Sequence, residues 1–206
     1  MKVEVKIKNK KLLGYVIKSV NIPDGVTHIG NSAFSGCSYL THVSIPDSVT
    51  SIGKHAFYRC RSLTQIALGK SVTSIGKCAF GDCSSLTRIV MQDSITNIDT
   101  GAFKYCTSLE TISIPGSVTS IGSWAFYNCS SFKSITIPEG VLHIGECAFW
   151  HCTALESVVF PDSVTTVGLC LFTDCPSLKR IEIPNRFTDE QISSWRLPGS
   201  CEVVRR

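Results

Sequence analysis

LTHVSIPDSVTSIGKHAFYRCRS, residues 40–62, is one period of a pattern that fills most of the 206-residue chain. Its phenylalanine recurs every 23 residues, as Phe34, Phe57, Phe80, Phe103, Phe126, Phe149 and Phe172, with no insertion or deletion. Three positions after each Phe stands a cysteine, from Cys37 to Cys175, and three further on an apolar residue, from Leu40 to Leu178. Val43 and Ile45 begin two more apolar columns, which end at Ile181 and Ile183. Alanine precedes Phe in every unit but the last, where Leu171 replaces it. A fixed period of this length marks a solenoid, whose units cannot bury an apolar face alone and draw stability from stacked neighbours.

Each column has a local meaning. Val43 and Ile45 alternate with polar residues, so both point inward from a short strand. Pro46 ends that strand, because proline donates nothing to a ladder, and Asp47 and Ser48 turn the chain. Residues 49–52 read as a second extended stretch. Gly53 and its equivalents suit a positive φ, with Asp99 filling the slot once. Residues 54–60 read as one or two helical turns, with Ala56 and Phe57 facing in. Together these features predict an α/β solenoid of seven 23-residue leucine-rich-type units, with short parallel strands and short helical turns, capped at both ends.

The caps also have signatures. Residues 1–21 read as an N-terminal cap, in which stretches 3–7 and 12–16 form a β-hairpin around the lysines of 8–11. Ile17, Val20, Ile22 and Pro23 then fall in the strand columns as half a repeat. The solenoid occupies residues 22–184. Residues 185–206 read as a C-terminal cap: Thr188 with Gln191 marks a capping box opening a helix to about Arg196, and residues 201–204 a last strand.

The unit resembles the BspA-like, or Treponema-type, leucine-rich repeat, written L-x-x-I-x-I-P-x-S-V-T-x-I-G-x-x-A-F-x-x-C-x-x, over roughly residues 17–184. The resemblance implies a curved solenoid with a parallel sheet on one face. It also implies a surface or secreted setting, in bacteria or protozoan parasites, with roles in adhesion and protein binding. It carries no catalytic residue to transfer. Residues 1–18 lack the apolar region of a secretory signal, so either the chain stays inside the cell or an export signal lies outside this sequence.

Composition narrows the function classes. Charged residues make up 17% of the chain and hydrophobic ones 43%, which fits positions committed to buried columns. The net charge of +4 arises at the N-terminal end: residues 1–21 hold six lysines and one glutamate, whereas residues 22–184 hold ten basic and twelve acidic residues. The repeats thus have no continuous basic stripe, which argues against nucleic acid. No apolar run is long enough for a membrane span. The periodic cysteines read as reduced, buried apolar residues with a weak S–H donor. Cys78, Cys147, Cys170 and Cys201 fall outside that column, and Cys147 and Cys170 lie one period apart, close enough in sequence space to approach each other. The C-x4-C spacing of Cys78/Cys83, Cys147/Cys152 and Cys170/Cys175 does not suit a structural zinc, the five histidines do not cluster, and no nucleophile elbow or phosphate loop is present. No cofactor, metal or catalytic residue is expected.

Two surfaces remain as candidates. On the strand face, His42, Gln65, Arg88 and Arg180 belong to one outward column. On the turn face, Trp124, Tyr127, Trp150 and His151 should form an aromatic patch across adjacent coils, in a composition typical of binding hot spots; packing of the rings over the ridge is the competing reading. The sequence therefore points to a non-catalytic module that binds a protein. A structural protein that self-associates weakly through its terminal coils is the alternative.

Overall fold

A computed structural model describes residues 4–5 and 17–206. The apolar columns become interior ladders, and every strand pair recorded is parallel with equivalent residues opposite one another, Ser51 against Ser74 and Ile52 against Ile75, for example. Two-residue strands of the second extended stretch, from His28–Ile29 to Thr166–Val167, form one continuous sheet of eight, with Glu4–Val5 as its first strand. The hairpin expected around residues 3–16 otherwise lies outside the described residues. The Val43 column is less continuous. Ser19–Asn21 pairs with His42–Ser44, Gln65–Ala67 with Arg88–Val90, and Ser134–Thr136 opens a four-stranded sheet that ends on Glu202–Arg205.

The interior is a stack of like on like. Successive rings from Phe34 to Phe172 lie 5.1–5.8 Å apart and within 11° of parallel. No polar or charged residue is buried among the described residues. Hydroxyls on the coil surface bond between turns instead: Thr73 Oγ1 donates to the Thr50 carbonyl at 3.1 Å, and Thr96 repeats the bond to Thr73 at 3.3 Å. The abundant Ser and Thr are thereby partly accounted for as inter-coil donors. At the C-terminal end a capping box on Thr188 opens the helix Asp189–Ser194. The Trp195 carbonyl beyond it accepts from Phe172 N at 2.9 Å, and its buried ring closes the core against Phe160 and Phe187.

The helical turns expected in each unit are not formed; Asp189–Ser194 is the single helix among the described residues. Backbone bonding explains the difference. Ala56, Tyr58 and Cys60 donate three residues back within their own coil, whereas His55, Phe57 and Arg59 donate to Lys77, Ala79 and Gly81 of the next. Alternate amides therefore point along the solenoid, which a helix cannot allow because its N–H groups all point one way. The alternation requires left-handed φ at two sites per coil, the columns of His55 (φ 56°) and Arg59 (φ 62°), and twelve of the thirteen non-glycine residues with positive φ lie there. Each costs roughly 1 kcal/mol, offset by a ladder of inter-coil bonds.

The Gly53 column also departs from expectation. Its φ is not positive. A Cβ on Gly53 would instead stand 2.8 Å from the backbone of Gly30 and Asn31 in the coil below. Glycine suits Gly53 because two backbones meet there with little room for a side chain, although Asp99 occupies the equivalent slot of another coil.

The cysteine column bonds as well as packs. Cys83, Cys106, Cys129, Cys152 and Cys175 each direct Sγ at a Phe carbonyl of the preceding coil, at 3.1–3.3 Å. Burial, and then the neighbouring thiols, push Cys83, Cys106, Cys129 and Cys152 well above the ordinary value of 9.0, and burial takes Cys175 to about 12. Cys78, Cys83, Cys106, Cys129, Cys147, Cys152, Cys170, Cys175 and Cys201 are free thiols.

Three outcomes follow for stability. Replacing Gly145, whose Cβ would collide with Ser123 N, by Ala should cost roughly 1–3 kcal/mol, whereas Gly116→Ala, in open space, should stabilise by about 0.4–1 kcal/mol. Urea midpoints of the two variants would show the opposite signs. Below about pH 9 the column thiols are protonated whether the chain is folded or not, and add no pH dependence. Above it the unfolded chain releases protons that the folded chain retains, so stability should fall from about pH 9 upward. Urea titrations at rising pH should record that fall, and Cys129→Ala should make it shallower.

Candidate functional site

The turn segment carries the variable side chains, because its inward positions are committed to Ala, Phe and Cys. The left-handed column that begins at Ser32 continues through His55, Cys78, Gly101, Trp124, Cys147 and Cys170. Gly101 is the one member without a side chain, and the ladder opens above it. The result is a hollow of about 390 Å³, lined by Lys77, Cys78, Thr100, Gly101, Lys104, Tyr105, Trp124, Tyr127 and Trp150, within the size range of ordinary binding sites. Trp124 and Tyr105 are 40% and 38% exposed, unusual for large rings in a chain whose other aromatics are mostly buried.

The hollow's aromatics meet at right angles. Tyr105 and Tyr127 lie 5.1 Å apart at 84°, and Tyr127 and Trp150 lie 5.7 Å apart at 82°. The interaction with Tyr105, and then partial burial, raise the Tyr127 phenol above its usual 10.0. Asp174 accepts the Trp150 indole N–H at 3.0 Å and fixes that ring. On the other side, Lys104 Nζ stands 6.0 Å from the Tyr58 ring. His55 is lowered from 6.5 by burial first and then by Lys54, Lys104 and Lys77. The field at this end is therefore positive.

The structure thus brings Trp124, Tyr127 and Trp150 together. His151 lies beside them but faces a neighbouring hollow with Asp174, Arg196 and Pro198, its Nδ1 3.9 Å from Asp174. Tyr105, Lys77, Lys104 and Gly101 escaped the sequence reading. The available signal was Gly101 itself, the glycine that interrupts a column of side chains. On the strand face, His42, Gln65 and Arg88 line a shallow cleft of about 380 Å³ at the seam where His42–Ser44 and Gln65–Ala67 belong to separate sheets. Arg180 stands apart, engaged by Glu182 at 3.2 Å and Glu202 at 2.8 Å. Among the described residues no group of three or more His, Cys, Asp or Glu is placed to hold a metal, and no helix is long and apolar enough to cross a membrane.

Comparison with known proteins agrees with this architecture. The family model for the BspA type leucine rich repeat region matches in six copies, over residues 5–133 and 119–197. Among solved structures, a leucine-rich repeat protein of T. pallidum is 29% identical with a TM-score of 0.62, the match covering 90% of this chain and 80% of that one. A leucine-rich cell surface protein of Faecalibacterium prausnitzii is 29% identical with a TM-score of 0.55, covering 91% and 59%. A leucine-rich repeat protein of Bacteroides ovatus shares the fold at 24% identity, with a TM-score of 0.62 and coverage of 94% and 67%. No curated protein matches the sequence.

Proposed function

The chain belongs to the BspA-type leucine-rich repeat family, and from that premise we propose that it is a non-catalytic module that binds a protein partner through the aromatic hollow of its turn face. The observation that carries the proposal is the exposure of Trp124 and Tyr105 around a concave floor at Gly101. Tyr39 is also exposed but lies outside the hollow's lining, and interfaces draw most of their energy from clustered aromatic anchors. The strand-face cleft is the weaker candidate, since His42, Gln65 and Arg88 surround a shallow seam with no large ring among them. An adhesive, cell-surface setting belongs to the same proposal; it rests on the family and on the name of the Faecalibacterium relative.

A non-enzymatic role fits the placement of the reactive groups. The column thiols are buried and held protonated, and surface threonines donate to neighbouring carbonyls. Weak self-association by end-to-end stacking of bare coils finds less support at the C-terminal end, where Trp195 and the strand Glu202–Arg205 cover the ladder.

Affinity capture with the folded protein and with a Trp124→Ala/Trp150→Ala variant tests the proposal. Loss of a captured protein by about tenfold or more is expected, the effect of removing hot-spot rings, while thermal melting of the variant stays near the parent. Equal recovery by both forms would sink the assignment to this face.

A further inference from the structure

Resting on the proposed binding role of this face, we infer that the hollow above Gly101 receives an acidic peptide segment, with an apolar side chain against the rings and carboxylates toward Lys77 and Lys104. Three observations converge on that chemistry. The first is charge. Lys77 and Lys104 both line the hollow, Lys54 stands close enough to act on the same histidine, and none of the three takes part in the ion pairs found among the described residues. By contrast, Arg59 and Arg61 nearby are already engaged by Asp82, at 3.4 and 2.8 Å. The lysines beside the hollow therefore leave positive potential for an incoming carboxylate, and they disfavour a cationic ligand that the rings alone would attract.

The second observation is the arrangement of the rings. Tyr105, Tyr127 and Trp150 meet edge to face, at 84° and 82°. They form walls around one compact apolar group, not a run of coplanar faces on which consecutive sugar rings could lie. A peptide side chain such as Phe, Leu or Met fits such walls and buries apolar surface against them. Asp174, which lies outside this lining in the neighbouring hollow, accepts the Trp150 indole N–H and holds that wall in place. Lys77 and Lys104 are the only charged residues in the lining, so a bound acidic segment would have its carboxylates toward them.

The third is how the hollow is made. Gly101 has φ 61° and stands in a column whose other members carry side chains at φ 53–57°. Its backbone conformation is therefore not what demands glycine, since Ser32, His55 and Trp124 adopt it too. A Cβ at Gly101 would stand 3.1 Å from Cys78 Sγ and from Lys104 Cδ, within the hollow's own lining. Glycine at this coil keeps the floor open and leaves Lys104 free.

The test uses the whole protein and three capped pentapeptides, each with a central phenylalanine: one flanked by glutamates, one by lysines and one by glutamines. A heparin-derived oligosaccharide serves as a fourth probe. Binding is read from tryptophan fluorescence, to which Trp124 and Trp150 in the hollow would respond while Trp195 lies buried in the cap. The glutamate peptide should bind at least about tenfold more tightly than the lysine peptide, and its affinity should fall as salt is raised. Lys77→Glu/Lys104→Glu should invert the preference, and Gly101→Ser, a residue the column already holds at Ser32, should weaken the glutamate peptide by about tenfold. Equal affinity for all three peptides, or binding of the oligosaccharide alone, overturns the inference. Should the tryptophan double variant lose its captured partner while the peptides bind indifferently, the peptide chemistry fails and the binding face stands. Should the glutamate peptide bind as stated while the double variant keeps its partner, the hollow's chemistry holds and the partner's site lies elsewhere.

Discussion

Each coil has to meet the next with its backbone in register, residue on equivalent residue, and the rest of the molecule follows from satisfying that demand. Strand amides, every second turn amide and threonine hydroxyls donate to the neighbouring coil, across an interval of 22 to 24 residues. A single insertion would shift every column against its neighbour and turn inward side chains outward. Strict repetition is therefore a condition of the fold, and the ladders of phenylalanine and cysteine are its consequence. The thiol column shows how tight the arrangement is: each Sγ of Cys83 to Cys175 finds a carbonyl one coil below, where a larger side chain would be crowded and a smaller one would leave a void.

The turn segment meets the same demand by an unexpected route. A helix there would keep its amides within the coil and leave the turn face of the solenoid without inter-coil bonds. The chain instead takes two left-handed residues per coil and sends alternate amides to the next. The price in local strain is repeated along the solenoid, yet it falls at positions where the side chain has little to do with the core. These columns consequently hold residues as different as Ser32, His55 and Trp124, and the molecule's individuality collects on the turn face.

A hollow arises on that face because one ladder is interrupted. Columns of similar side chains make a filled ridge, and it takes a glycine beside tryptophan to make a floor with walls. Gly101 between Cys78 and Trp124 supplies the floor, Tyr105, Tyr127 and Trp150 the walls, and Lys77 and Lys104 the charge. The concave shape and the positive field have separate origins in the sequence, and they coincide only in the stacked structure.

Periodicity alone determined the solenoid, its parallel strands and its interior ladders, because a repeat without insertions admits few other ways to bury Phe, Leu and Ile. It also placed Tyr127 and Trp150 in one column, with Trp124 close by. Tertiary structure decided what spacing cannot encode. Whether residues 54–60 wind as a helix depends on where their amides find acceptors, and those acceptors lie a full coil away, on Lys77, Ala79 and Gly81. The reason for Gly53 likewise sits in another coil, at Gly30 and Asn31. Tyr105 joins the aromatic site although it falls outside the column that Lys104 shares with Tyr127 and Trp150, since neighbouring coils bring unlike positions side by side. The sequence names which residues repeat; the contacts between coils settle what each repetition does.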